Sequence, residues 1–214
     1  MDLKGKIVNF LGDSITEGIG VENQENRYDV RLANLWQVKK ANNYGISGTR
    51  FAYQHTPSEV MSFDLYFCGR ALYMDPQADL IIVYGATNDF GHGDAAFGTD
   101  NDRTPATFFG SVHCLMQTLK DTYPNAEIVF LTPARRETMW EPSAANNRPL
   151  IDYVKVIEDT AAKYGIHVLN LYDKLGIDPT EAADREVYVP DGLHFNDAGH
   201  AVLAEVVDAF IRTI

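Results

Sequence analysis

Five short apolar runs, each separated from the next by a stretch of helical length, constrain this chain more than any other feature. The runs lie at residues 6–11, 37–44, 80–84, 128–131 and 167–171. A run such as Leu80-Ile81-Ile82-Val83-Tyr84 lacks the polar–apolar alternation of a half-exposed strand, so it reads as a strand buried on both faces. The run at 37–44 contains Lys39, Lys40, Asn42 and Asn43, and its half-polar character suits a place nearer the sheet edge. Helical patterns occupy residues 28–36, 58–74, 105–122, 148–164 and 197–214. The last reads AGHAVLAEVVDAFI, with apolar residues recurring at helical spacing. Strands joined by helices pair in parallel and need cover on both faces. The expected class is therefore α/β, with a central five-stranded parallel sheet. Punctuation agrees: Tyr123-Pro124-Asn125 and Tyr164-Gly165 end helices, and Asn196-Asp197 can cap the last one.

The 214 residues suffice for one well-buried domain, 1–214, and fall short of two ordinary ones. Eighteen basic against 30 acidic residues give a net charge of −12. Such a surface repels phosphate backbones and anionic bilayers, so nucleic acid and membranes are not expected partners. No apolar run approaches the roughly 18 residues of a membrane span. The opening MDLKGKIVNFLGDS is too short in its apolar part for a signal sequence and reads as the first strand, which points to a cytoplasmic protein. Cys68 and Cys114 sit in apolar helical contexts without metal-ligand spacing, and read as free thiols. A homo-oligomer is compatible with all of this.

In an open parallel sheet, ligands bind beyond the carboxyl ends of the strands. Polar clusters fall there: Gly12-Asp13-Ser14 after the first run, Ser47-Gly48 after the second, Thr87-Asn88-Asp89 after the third, and Asp191-Gly192-Leu193-His194 before the last helix. Acyl transfer needs a nucleophile, a base with an orienting partner, and donors for a developing oxyanion. Ser14 can supply the first, His194 and Asp191 the second. Ser14 N–H, Gly48 N–H and the Asn88 amide can supply the third. Asp13 reads as a structural hydrogen-bonding residue.

These four blocks, in this order and bracketing nearly the whole chain, resemble those of the SGNH/GDSL hydrolases, with Ser14, Gly48, Asn88 and His194 in the four name-giving places. The resemblance implies a flavodoxin-like three-layer α/β/α sandwich and ester hydrolysis without metal or organic cofactor. The first block departs slightly, reading Gly-Asp-Ser-Ile where many members have Leu after the serine. That is a packing position.

Specificity has to come from the loops, because one fold hosts many ester chemistries. The loops are polar and carry no amphipathic lid, which favours a small-molecule ester with a short acyl group, such as acetyl, on a hydroxylated carrier. His92, Arg135, Phe97 and Trp140 are the candidates for contacting substrate, with Arg136 as the alternative to Arg135. The Gly/Asp-rich stretch 90–104 reads as a functional loop. A lipase, a thioesterase, an acyltransferase or a non-catalytic small-ligand module on the same scaffold are the competing readings.

Overall fold

The computed structural model describes residues 1–214. Five parallel strands form one sheet: β1 (Ile7–Gly12), β2 (Lys40–Gly45), β3 (Leu80–Tyr84), β4 (Glu127–Leu131) and β5 (His167–Leu169). Their spatial order is β2-β1-β3-β4-β5, so the chain reverses its direction of travel across the sheet next to β1. The helices are α1 (Ser14–Glu17), α2 (Tyr28–Trp36), α3 (Phe67–Ala71), α4 (Thr87–His92), α5 (Phe108–Thr122), α6 (Leu150–Tyr164), α7 (Leu171–Lys174), α8 (Ala182–Tyr188) and α9 (Asp197–Ile211). The expected α/β class with a five-stranded parallel sheet is the observed one.

Two hydrophobic cores lie on opposite faces of the sheet. Successive strand side chains point to opposite faces, so each central strand feeds both cores. Ile81, Val83, Ile128 and Phe130 pack with α3, α5 and α6 in one. Leu80, Ile82, Tyr84, Val129 and Leu131 pack with α2 and α9 in the other. This double burial is why the runs carry no alternation.

The second strand is indeed an edge strand, and it starts at Lys40 rather than at residue 37. Gln37 instead closes α2 in the left-handed region, at φ 53°. The continuous helix expected over 58–74 does not form. A 3₁₀ turn at Met61–Asp64 and the short α3 replace it. Asp64 accepts hydrogen bonds from the Ser58 backbone and hydroxyl and from Arg50, and these side-chain bonds hold the segment in a loop. The stretch 90–104 is partly helical, since α4 runs to His92. Beyond it, Asp94 accepts from the backbone N–H groups of His55 and Thr56, so this loop is tied down.

Ile82 is fully buried at the centre of the sheet. Replacing it with Ala removes three carbons from a close-packed layer. A urea titration is expected to show Ile82→Ala destabilised by about 2–5 kcal/mol with an unchanged m-value.

Candidate active site

The parallel register sets Gly12 of β1 beside Gly45 of β2 and Tyr84 of β3. The turns leaving these three strands therefore emerge together. A side chain at Gly45 is excluded, because its Cβ would lie 2.2 Å from the backbone nitrogen of Glu17 as α1 passes over the strand ends. Gly48 takes φ +72°, and a Cβ there would meet the Phe63 ring at 2.4 Å. Ala86, just before α4, also adopts a left-handed conformation at φ 74°, a cost of roughly 1–2 kcal/mol for a non-glycine residue. The strain sits two residues before Asn88.

Ser14 is the first residue of α1 and is only 5% exposed. Its Oγ lies 2.9 Å from His194 Nε2. On the other side of the ring, His194 Nδ1 lies 2.7 Å from Asp191 Oδ2. The second oxygen of Asp191 accepts the backbone N–H groups of Leu193 and His194, at 2.9 and 2.6 Å. One carboxylate thus fixes both the turn and the imidazole. Burial pushes the Asp191 carboxyl up, but the His194 backbone, its ring and the Leu193 backbone together hold it below the usual range. It is an anion at neutral pH and keeps the Nδ1 proton on the Asp191 side.

The backbone N–H groups of Ser14 and Gly48 donate to no protein acceptor. The Asn88 amide nitrogen donates one hydrogen to Thr49 O at 3.0 Å, which seats it next to Gly48 and leaves its second hydrogen free. Asp89, beside it, is buried and accepts the N–H groups of Phe51 and Ala52, both at 2.9 Å. Burial raises its carboxyl to about 7. These bonds lock α4 to the turn carrying Gly48.

Asp13 has the structural part expected of it: its Oδ1 caps α1 by accepting the Ile15 N–H at 3.0 Å. Its Oδ2 is buried without a hydrogen-bond partner. Burial raises its pKa to about 6. Arg70 is an electrostatic counterweight that the sequence did not announce. It donates to Tyr44 O at 2.6 Å, Gly12 O at 3.0 Å and Thr49 Oγ1 at 2.9 Å, joining the ends of β1 and β2 to the Gly48 turn.

The candidate substrate contacts divide. His92 lies in the site, against Asn88 Oδ1 at 3.1 Å. Arg135 is engaged elsewhere, with Asp178 at 2.8 Å and Tyr172 O at 2.9 Å. Arg136 is the arginine that turns inward. It donates to Thr87 O at 3.2 Å and to Thr138 Oγ1 at 3.1 Å, and stacks over Phe90. Phe97 packs against Phe108, Phe109 and Tyr153 in the helical layer. Trp140 is 70% exposed. Phe97 is thus seated in the packed helical layer, and Trp140 stands largely in solvent. Cys68 and Cys114 are free thiols. No group of three His, Cys, Asp or Glu side chains comes together as a metal site. No helix is long and apolar enough to cross a membrane.

The family model for GDSL-like lipases/acylhydrolases matches residues 10–202. The chain belongs to that family. A solved structure 28% identical superposes with a TM-score of 0.86 and covers 100% of this chain and 99% of its own. A Lactobacillus plantarum protein, 27% identical, gives a TM-score of 0.86 with 98% of each chain covered. A carbohydrate acetylesterase family member from Sinorhizobium meliloti is 16% identical, with a TM-score of 0.65 over 97% of this chain and 98% of its own. Among curated proteins, none matches the sequence.

The orphaned carboxylate oxygen of Asp13 yields a prediction. With the carboxyl raised from 3.8 to about 6, the unfolded chain ionises first, so this group's contribution to stability is lost as pH rises between those values. Asn keeps an oxygen for the cap and cannot ionise. Denaturant titrations should therefore find Asp13→Asn gaining on the wild type from pH 4 to about 6 and levelling off above, by up to about 3 kcal/mol at 1.36 kcal/mol per pH unit. A pH-independent difference would mean that burial does not hold this carboxyl up.

Proposed function

We propose that this protein is a serine esterase that cleaves short-chain carboxylic esters, acetyl esters of hydroxylated carriers above all, through an acyl-enzyme. The observation that carries the reading is the unbroken chain Ser14 Oγ–His194 Nε2, His194 Nδ1–Asp191 Oδ2, at 2.9 and 2.7 Å. Ser14 Oγ attacks the ester carbonyl carbon while its proton passes to His194 Nε2. The imidazolium so formed is stabilised by the Asp191 carboxylate. The carbonyl oxygen, now an oxyanion, accepts from Ser14 N–H, Gly48 N–H and Asn88 Nδ2–H. Collapse breaks the carbon–oxygen bond to the alcohol, which leaves with the proton from Nε2. A water molecule then attacks the acyl-enzyme with the same general base, releasing the acid and restoring Ser14.

The choice of a hydroxylated carrier rests on the ground beside Arg136. A cleft of about 290 Å³ is lined by Arg136, Thr138, Glu141 and Ser143, together with Phe90 and Pro142. Arg136 binds Thr87, next to Asn88. Glu137, the following residue, donates its N–H to Gly192 O at 2.9 Å, within the turn that holds Asp191 and His194. Through these bonds the wall of the cleft is joined both to the residue before Asn88 and to the turn that carries Asp191 and His194. Donors and acceptors in this mixture suit sugar hydroxyls better than an alkyl chain. The Sinorhizobium meliloti relative, a carbohydrate acetylesterase family member, is consistent with this choice.

Hydrolysis of p-nitrophenyl acetate, butyrate and octanoate tests the reaction. The expected kcat/KM falls with chain length, and Ser14→Ala, correctly folded, loses at least about 10³-fold on acetate. Preference for octanoate would remove the short-chain assignment. Equal rates for wild type and Ser14→Ala would remove the nucleophile. For the carrier, Arg136→Ala is expected to raise KM for an acetylated sugar while leaving p-nitrophenyl acetate little changed, since the small ester does not reach the cleft. An equal effect on both esters would contradict that division.

A further inference from the structure

The reaction above uses neither Arg50 nor His92, yet both are joined to Asn88 by a series of hydrogen bonds. Arg50 is among the largest fully enclosed side chains of the protein, 2% exposed. Its Nη1 stands 2.6 Å from His92 Nδ1. His92 Nε2 stands 3.1 Å from Asn88 Oδ1. Asn88 Nδ2 donates to Thr49 O at 3.0 Å.

The direction of every bond in this series is forced. A guanidinium only donates, so His92 Nδ1 accepts. An imidazole that accepts at Nδ1 and is neutral carries its proton on Nε2, and that proton is donated to Asn88 Oδ1. The amide of Asn88 then has one permitted orientation, its oxygen toward His92 and its nitrogen toward Thr49. The reversed amide would set N–H against N–H on one side and oxygen against oxygen on the other. Loss of hydration among its neighbours, then the Arg50 and Arg136 guanidiniums, lower the His92 pKa to about 4, although part of the residue stays in solvent. The neutral tautomer is therefore maintained at neutral pH. Arg50 in turn is anchored at Nη2 by Ser58 Oγ at 3.0 Å, Phe63 O at 3.2 Å and Asp64 Oδ1 at 3.2 Å.

We infer that Arg50 and His92 are positioning residues, which fix the Asn88 amide so that its nitrogen is presented to the oxyanion, and which tie that orientation to the loop at residues 58–64. The inference rests on the assignment of Asn88 as an oxyanion donor. A donor that is already aimed costs nothing to reorganise when the charge develops, whereas a freely rotating amide loses that advantage. The effect belongs in kcat, because the oxyanion exists only after attack has begun.

Steady-state kinetics on p-nitrophenyl acetate with His92→Leu, His92→Gln, Asn88→Ala and the double variant Asn88→Ala/His92→Leu test this, with melting temperatures recorded for each. Asn88→Ala is expected to lower kcat about 10²–10³-fold. His92→Leu, which removes the donor and keeps the volume, is expected to lower kcat about tenfold with KM nearly unchanged, the weight of one lost hydrogen bond. His92→Gln places an amide nitrogen where Nε2 stood and should recover most of that loss. In the Asn88→Ala background, His92→Leu should cost nothing more, because its only route to the reaction has gone.

An equal tenfold loss in both backgrounds would overturn the inference, as would a His92→Gln enzyme no better than His92→Leu, or a His92→Leu enzyme with wild-type kcat. A wild-type kcat in Asn88→Ala would remove the oxyanion assignment itself and the inference with it, a failure recognisable from that single variant.

Discussion

The first strand, β1, is hydrogen-bonded in parallel on both sides, to β2 and to β3, and its last residue Gly12 lies level with Gly45 and Tyr84. That register decides where everything else can be. The chain reverses its winding direction at this strand, so the connections on either side of it leave to opposite faces and a crevice opens between them. Ser14 follows β1, Gly48 follows β2 and Asn88 follows β3, each within four residues of its strand end. A one-residue slip of any of these strands would exchange its buried faces and move its turn out of the group. The two apolar cores that sandwich the sheet are what make such a slip prohibitive.

Holding three turns together brings polar groups into a region with little water, and the structure answers with fixed donors and acceptors. Arg70 satisfies backbone carbonyls at the ends of β1 and β2. Asp89 satisfies two N–H groups of the turn after β2. Arg50 carries its charge between His92 and Asp64. Among the donors so gathered, the backbone N–H groups of Ser14 and Gly48, one hydrogen of Asn88 and the Arg50 Nε–H are left without a protein acceptor. Asp13, directly before Ser14, is the exception in the other sense, with an unpartnered oxygen and a raised pKa of about 6. His194 and Asp191 stand nearer the surface, on the turn before α9, where the imidazole can swing a proton between Ser14 and a departing alcohol.

The sheet, its edge strand and the four polar blocks were legible in the sequence because their signals are local: apolar runs without alternation, and short motifs at strand ends. The His194–Asp191 contact was legible because three residues separate the partners. Arg50, Arg70 and Arg136 were not assigned their places, because each bonds groups far away in the chain, 58 residues in the case of Arg70 and Gly12. Arg135 and Arg136 are neighbours of the same type, and only the packed structure separates the one that faces Asp178 from the one that faces Thr87. The missing helix at 58–74 has the same origin. Its apolar spacing is adequate, but Asp64 spends its carboxylate on Ser58 and Arg50, which a helix would pull apart.

As the proposed nucleophile, Ser14 becomes covalently acylated in the course of each turnover. A fluorophosphonate probe reports this directly, since it phosphonylates only a serine activated by a neighbouring base and backed by oxyanion donors. Peptide mapping by mass spectrometry after labelling should find one adduct, on the peptide containing Ser14, and none when the protein is denatured beforehand or when His194 is replaced by Ala. An active, folded enzyme that takes up no label at Ser14, or takes it up on another residue, would contradict the account.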